Sequence, residues 1–422
     1  MKTLIVSANA FSKVYNNGKT LEAIFGAFQS CELSQLFTRP QDSKYTDYDF
    51  CDNYYVVSEV DIIKKIIGQS KTCGSALFNK ETNYKSKIYS TFKKKNIKKL
   101  SLIRDLLWGI NLWKTKELDN WINQQKPDMV FLVGGGAKYL HSLGRYISTK
   151  LDIPLLVFYT DDYLLHPKFN GILGKLHRTI MSSHYKKTIN SATACFAIGD
   201  LMSKEYGEYF KRKFYPIMNS IRLEEYKAPT INVPNIISYF GGLHLNRWKM
   251  LCRFSESLPE DWELHVYSSS EITNEIQEGF TKTNIKFLGC VHGDKLQEKM
   301  QQSQVLLHVE SDDSYNRALT YLSVSTKLPE YLMSGRLVLG FGPQEVASMR
   351  LLIDNKIGIG IDSSFEKDHI KSILKDILSN DAKIKQIGKE GYDYACQRFD
   401  GGKNAKDFRS YIEKILSEAK TR

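Results

Sequence analysis

Ser325-Thr326-Lys327-Leu328-Pro329-Glu330-Tyr331-Leu332-Met333-Ser334-Gly335-Arg336-Leu337-Val338-Leu339-Gly340-Phe341-Gly342-Pro343 is the stretch from which the fold is read. Pro329 has a fixed φ and no N–H, which suits the first turn of a helix. Gly335 tolerates the positive φ that ends one. Leu337 to Phe341 is a continuous apolar run bounded by Gly342-Pro343, the pattern of a strand covered on both faces. The backbone N–H groups of Ser325, Thr326 and Lys327 are then expected free at a helix N-terminus, where dipole and donors favour an anion. Lys327 adds a positive charge, and the Glu330 carboxylate offers two acceptor oxygens to adjacent ribose hydroxyls. The same residues also fit a plain helix cap with an acid complementing the dipole.

Outward from this stretch, apolar runs recur at Ile236–Phe240, Leu264–Tyr267, Ile285–Leu288, Val305–Val309 and Ile357–Ile361, most of them separated by helical periodicity. The first half has the same rhythm. Thr3–Ser7, Met129–Val133, Leu155–Tyr159 and Cys195–Ile198 read as strands, and Leu21, Ile24, Phe25 and Phe28 have helical spacing. Alternating β and α elements predict parallel, doubly wound sheets. Residues 221–235 carry two prolines and no periodicity, as a linker does. The expected domains are therefore 1–220 and 236–400, followed by an amphipathic helix within 401–422.

The 325–343 stretch resembles the donor motif of retaining, family-four GT-B glycosyltransferases, written Lys-x-x-Glu-x-x-x-x-Gly-x-Pro-Val. Lys327, Glu330 and Gly335 match, and Leu337 stands at the proline. Tyr239 to Lys249 resembles the family's Gly-Arg-Leu-x-x-x-Lys motif, with Gly242 at its arginine and Arg247 at its lysine. The resemblance implies a GT-B architecture of two Rossmann-like domains facing a central cleft, with the last helix crossing back to the first domain. It implies an enzyme that moves a sugar from a nucleotide-diphosphate donor, UDP- or GDP-linked, to a glycan or lipid-linked acceptor in cell-surface polysaccharide synthesis. No metal or other cofactor is expected. The donor contacts it implies are Gly241, Gly242, Ser325, Thr326, Leu328 and Glu330, with Arg247 and Lys327 at the leaving diphosphate. Many relatives carry two glutamates eight positions apart; Leu322 stands where the first would be, and Glu310 is the substitute candidate. A non-catalytic subunit binding a nucleotide sugar or glycan, and a nucleotide-sugar epimerase, remain as other readings.

In the first domain, Asn17, Gly18 and Lys19 read as a loop entering a helix, with a simple cap as the other reading. The loop resembles the family's glycine loop at the donor phosphates or the acceptor, which implies Gly18 at the donor and Asn17 and Lys19 on the acceptor side. The position five before Gly18 is Lys13, which excludes a P-loop. Asp161 and Asp162 follow the Leu155–Tyr159 strand and are poised at its carboxyl end. The resemblance implies acceptor orientation or proton acceptance for Asp162 and a structural place on the acceptor side for Asp161, with turn capping as the competing role.

Composition sets the remaining bounds. At 422 residues, with 42% hydrophobic and 25% charged residues, the chain suits two globular domains. No apolar run is long enough for a membrane span, and the N-terminus reads as a strand rather than a signal peptide. Seven scattered cysteines without a Cys-x-x-Cys argue against a disulfide framework and a zinc site. The formal net charge of +12 calls for an anionic partner. Lysines at 85, 87, 93–95, 98 and 99 and Arg104 run into Leu100, Ile103, Leu107, Ile110 and Trp113 at helical spacing. Residues 85–116 thus read either as a contact with an anionic membrane surface or as a core-packing helix. Nucleic acid is not an expected partner, since no recognition module is present. A cytoplasmic protein, peripheral at the inner face of the membrane, is the expected location.

Overall fold

A computed structural model describes residues 1–13, 16–40, 45–77, 104–166, 172–223, 226, 235–283 and 285–420. The lysines at 85–99, Leu100, Ile103 and most of the expected linker lie outside the described residues. The chain forms two compact units, Met1–Ile217 with Gly402–Arg422, and Met218–Gly401.

The first unit holds an eight-stranded sheet in the order β4-β3-β2-β1-β5-β6-β7-β8. Its strands are β1 (Thr3–Ser7), β2 (Leu33–Phe37), β3 (Asn53–Val56), β4 (Ser75–Leu77), β5 (Met129–Gly134), β6 (Leu155–Tyr159), β7 (Ala194–Ile198) and β8 (Phe214–Ile217). Every pairing is parallel except that of β4 with β3. All residues of β1, β5, β6 and β7 are buried, which is why these strands read as unbroken apolar runs. β2 is as deeply buried but was not legible. Its Ser34 and Gln35 break the apolar pattern and are satisfied inside the sheet, Ser34 Oγ by Thr3 O and Gln35 Nε2 by Ser7 Oγ and Asn9 O.

The final helix, Gly401–Lys420, packs within this first unit. Phe408 meets Phe25, Phe131 and Phe196 at centroid distances of 5.7, 5.7 and 5.6 Å. Arg409 forks onto Glu32 at 2.7 and 2.8 Å. The apolar stripe expected through Leu107, Ile110 and Trp113 does not form one buried face. Trp113 is buried, whereas Ile110 is 56% exposed. Trp108, off the expected stripe, fills the core instead, stacked on Tyr139 at 4.0 Å.

The second unit holds a six-stranded parallel sheet in the order β11-β10-β9-β12-β13-β14. These are β9 (Ile236–Phe240), β10 (Glu263–Tyr267), β11 (Lys286–Phe287), β12 (Val305–Val309), β13 (Leu337–Gly342) and β14 (Ile359–Asp362). Strand order reverses between β9 and β12, where ligands of such sheets bind. β9 pairs with β10 along all five residues, but with β12 only at Val305↔Ile237 and Leu306↔Ser238. The carboxyl ends of β9 and β12 are thus not joined by ladder hydrogen bonds.

Candidate functional site

Side chains bridge the gap that the ladder leaves. After β9, Gly241 and Gly242 open a turn that passes through Leu245 (φ 60°) and Asn246 (φ 58°) before the helix Arg247–Ser255. Left-handed backbone at two successive non-glycine residues carries strain that neighbouring contacts have to offset. Asn246 Nδ2 donates to Asp313 Oδ2 at 3.1 Å, which ties the turn to the loop after β12. Arg247 Nη2 lies 3.5 Å from Glu310 Oε2, a second tie across the same gap. The helix Leu328–Met333 supplies the third. Tyr331 Oη accepts from Phe240 N at 2.8 Å and donates to Phe240 O at 3.0 Å, pinning that helix to the last residue of β9.

Pro329 and Gly335 behave as their chemistry requires. Pro329 lies in the first turn, and Gly335 has φ 69° just past the helix end. The expected free amides are only partly so. Ser325 N donates to Ser348 Oγ at 3.0 Å and Lys327 N to Ser325 Oγ at 3.3 Å. Thr326 is the one of the three whose amide has no hydrogen bond among the described residues. Lys327 Nζ and Glu330 Oε2 are paired at 2.9 Å, so the two groups expected to meet a ligand meet each other first. Leu328 is corrected outright. Its side chain is fully buried and its amide donates to Ser325 O, which leaves nothing to face a donor.

Glu310 is corrected as well. Its side chain is 2% exposed, held by His308 Nε2 at 3.0 Å and by Arg247, so it does not reach out to a sugar. Burial favours the neutral carboxyl, but the His308 hydrogen bond and the Arg247 charge outweigh it and hold the pKa below its ordinary value. Arg247 responds in the opposite sense. Burial disfavours its charge, and Glu310 more than compensates, so the guanidinium stays firmly protonated. Its side chain is 17% exposed, and its Nε is buried without a hydrogen-bond partner among the described residues. An arginine at a strand-order reversal has the charge and the fork of donors that anion binding requires. Neither His308, Asn246, Asp313 nor Tyr331 was picked out by the sequence reading. Asn246, Asp313 and Tyr331 find these partners 67 and 91 positions away, and His308, though only two positions from Glu310, sits in a strand that otherwise reads as an apolar run.

In the first unit, strand order reverses between β1 and β5. Asn17, Gly18 and Lys19 sit here, but inside the first turns of the helix Asn16–Phe25 rather than in a loop before it. Asn17 and Lys19 are exposed, and Gly18 is buried. A Cβ on Gly18 would fall 2.6 Å from both Ser12 Cβ and Ser12 N, so close packing of the helix on the loop after β1 requires the glycine. Asp162 takes the turn-capping role. It accepts from the amides of Leu164, Leu165 and His166 at 2.8–2.9 Å, from His166 Nδ1 at 3.1 Å and from Tyr206 Oη at 2.9 Å. A carboxylate with five donors around it has no lone pair left for an acceptor's proton. Asp161, half-exposed, receives Thr160 Oγ1 at 3.2 Å.

No protein-family model matches the chain, and no curated protein does. Solved structures do. HepE from Anabaena in complex with UDP-glucose superposes with a TM-score of 0.59 at 11% identity, over 97% of this chain and 99% of HepE. A TarM variant of S. aureus, in complex with fondaparinux, alpha-GlcNAc-glycerol and UDP, gives 0.59 at 9% identity, over 99% and 100%. WaaG, a glycosyltransferase involved in lipopolysaccharide biosynthesis, gives 0.56 at 12% identity, over 96% and 98%. At these identities the likeness shows the fold, which is GT-B.

Proposed function

We propose that this chain is a glycosyltransferase that transfers a sugar from a nucleotide-diphosphate donor, UDP- or GDP-linked, to a glycan or lipid-linked acceptor, with retention and without a metal ion. The observation that carries the reading is Arg247. It is a largely buried cation whose Nε has no partner among the described residues, at the strand-order reversal of the second unit. It lies within electrostatic reach of Tyr331 on the helix Leu328–Met333, which Lys327 precedes and which bears Glu330. Complexes of structural neighbours with UDP-glucose and with UDP support the donor class. As the bond from the sugar's anomeric carbon to the diphosphate oxygen breaks, its electron pair stays on that oxygen. Arg247 and Lys327 stabilise the charge that develops there. For this, the Lys327–Glu330 pair opens, so that the lysine meets phosphate and the carboxylate meets the ribose hydroxyls. A half-exposed surface ion pair is weak enough to exchange partners in this way.

Surface-polysaccharide assembly is the process we assign, with WaaG's part in lipopolysaccharide biosynthesis as the supporting likeness. No helix among the described residues is long and apolar enough to cross a membrane. Leu106 at 72% and Ile110 at 56% exposure support a contact of residues 85–116 with an anionic membrane surface, at its cytoplasmic face. A second reading, a non-catalytic subunit, is favoured by Leu322, buried at 1% exposure where many relatives carry a glutamate. One experiment separates the two: incubate the purified chain with UDP- and GDP-sugars and follow release of the nucleotide. Slow donor hydrolysis that falls about ten- to a thousandfold in Lys327→Ala and Arg247→Ala is the expected result. Tight nucleotide binding with no turnover of any donor selects the non-catalytic subunit, and a changed sugar without acceptor selects an epimerase.

A further inference from the structure

The group that holds Arg247 in place is itself held. Glu310 follows the last residue of β12, its amide bonded to Phe341 O at 3.0 Å, and its backbone is packed against Gly342. A Cβ added at Gly342 would lie 2.8 Å from Glu310 O and 3.0 Å from Glu310 Cβ, so the glycine lets β13 close over this carboxylate. His308, one side-chain position earlier on the same face of β12, contacts Glu310 Oε1 at 3.0 Å, while Oε2 faces Arg247 at 3.5 Å. His308 and Glu310 are 5% and 2% exposed in their side chains. A buried carboxylate with one oxygen on a histidine and the other on an arginine has no rotamer freedom left.

We propose that Glu310 is a positioning residue for the donor diphosphate, acting through Arg247, with His308 as its anchor. A free arginine side chain samples many rotamers, and ordering it on binding costs affinity. Glu310 meets that cost in the unliganded protein, because its oxygen engages one amino group of the guanidinium and leaves other N–H donors for phosphate. This inference rests on Arg247 contacting the diphosphate, and it goes further in assigning Glu310 and His308 no contact with donor atoms.

The test is a double-mutant cycle read as dissociation constants for UDP and for GDP, measured by calorimetry on the full chain, with uridine and guanosine as controls lacking phosphate. Glu310→Gln, which keeps the shape and removes the charge, weakens binding of the nucleoside diphosphate that the unmutated chain prefers by roughly tenfold. Nucleoside binding is unchanged. Glu310→Gln has no further effect in an Arg247→Ala background, and His308→Gln gives a smaller loss of the same kind. Should Glu310→Gln fail to fold, His308→Gln in the two Arg247 backgrounds carries the cycle. If the Glu310 and Arg247 losses simply add, or if nucleoside binding falls equally, Glu310 does not act through Arg247 and the inference is overturned. If Arg247→Ala leaves diphosphate binding intact, or if the unmutated chain binds neither diphosphate, the functional reading itself falls.

Discussion

Asp162 shows how far a single residue can be read from its neighbours in sequence. An acid after a buried strand has two chemical uses, capping the turn or facing the ligand, and the choice depends on where the following amides point. Here three of them converge on its oxygens, together with His166 and Tyr206. Removing the acceptor strands buried donors, so Asp162→Ala is expected to destabilise the chain by about 3 kcal/mol, measured by urea unfolding. Burial on its own raises the Asp162 pKa; the His166 contact and the three amides override it and leave it lowered. A depressed native pKa contributes stability above the ordinary carboxylate value, and that contribution is lost as pH falls through the native one. Asp162→Asn therefore flattens the acid limb of the stability profile, and an unchanged acid limb would argue against the cap. At this scale the sequence disclosed residue types with special backbone roles, Pro329 and Gly335 above all. Pairings such as Asn246 with Asp313 stayed hidden, because 67 positions of chain separate the partners.

Elements were legible where a buried strand was built mostly of apolar residues. β6, β9 and β12 coincide with the apolar runs that mark them, since a parallel strand under helices on both faces tolerates little else. β2, β3, β4 and β8 were missed because each is short or admits polar residues at the sheet's margin or interior. The final helix was visible as an amphipathic segment, and its energetics follow from its contacts. Phe408→Ala removes a ring packed edge-on against three others and should cost about 3–5 kcal/mol of stability in the first unit. Glu32 fixes the same helix through Arg409, whose hydrogen bonds, with help from the Met1 amine, bring its pKa from 4.5 to about 2. The sign is that of a depressed acid. This contribution is complete above 4.5 and disappears as pH falls towards about 2. Thermal melting of Glu32→Gln should accordingly converge with the unmutated protein near pH 2 and fall below it near neutrality. A constant gap at every pH would mean that the carboxylate's charge plays no part.

For the molecule as a whole, each unit carries its own sheet and core, and the chain closes the first unit only with its last segment, residues 402–422. Ligand energy is therefore expected to enter unevenly. A nucleoside diphosphate held by Arg247 and Lys327 stabilises the second unit directly, because both residues lie between Met218 and Gly401. At a concentration a hundredfold above its dissociation constant, the gain is about 2.7 kcal/mol. Amides of β9, β12 and the helix Leu328–Met333 that exchange only through unfolding of that unit should slow by roughly a hundredfold. The net charge of +12 draws the anion in from a distance, so the association rate falls with added salt. Protection at β9 and β12 persists once binding is saturated, because saturation depends on ligand concentration relative to the dissociation constant at that salt. Hydrogen exchange followed by mass spectrometry, with and without UDP or GDP, reads both units at once. Slowed exchange confined to β1, β5 and β6, with β9 and β12 unchanged, would place the nucleotide in the other sheet and overturn the assignment of Arg247.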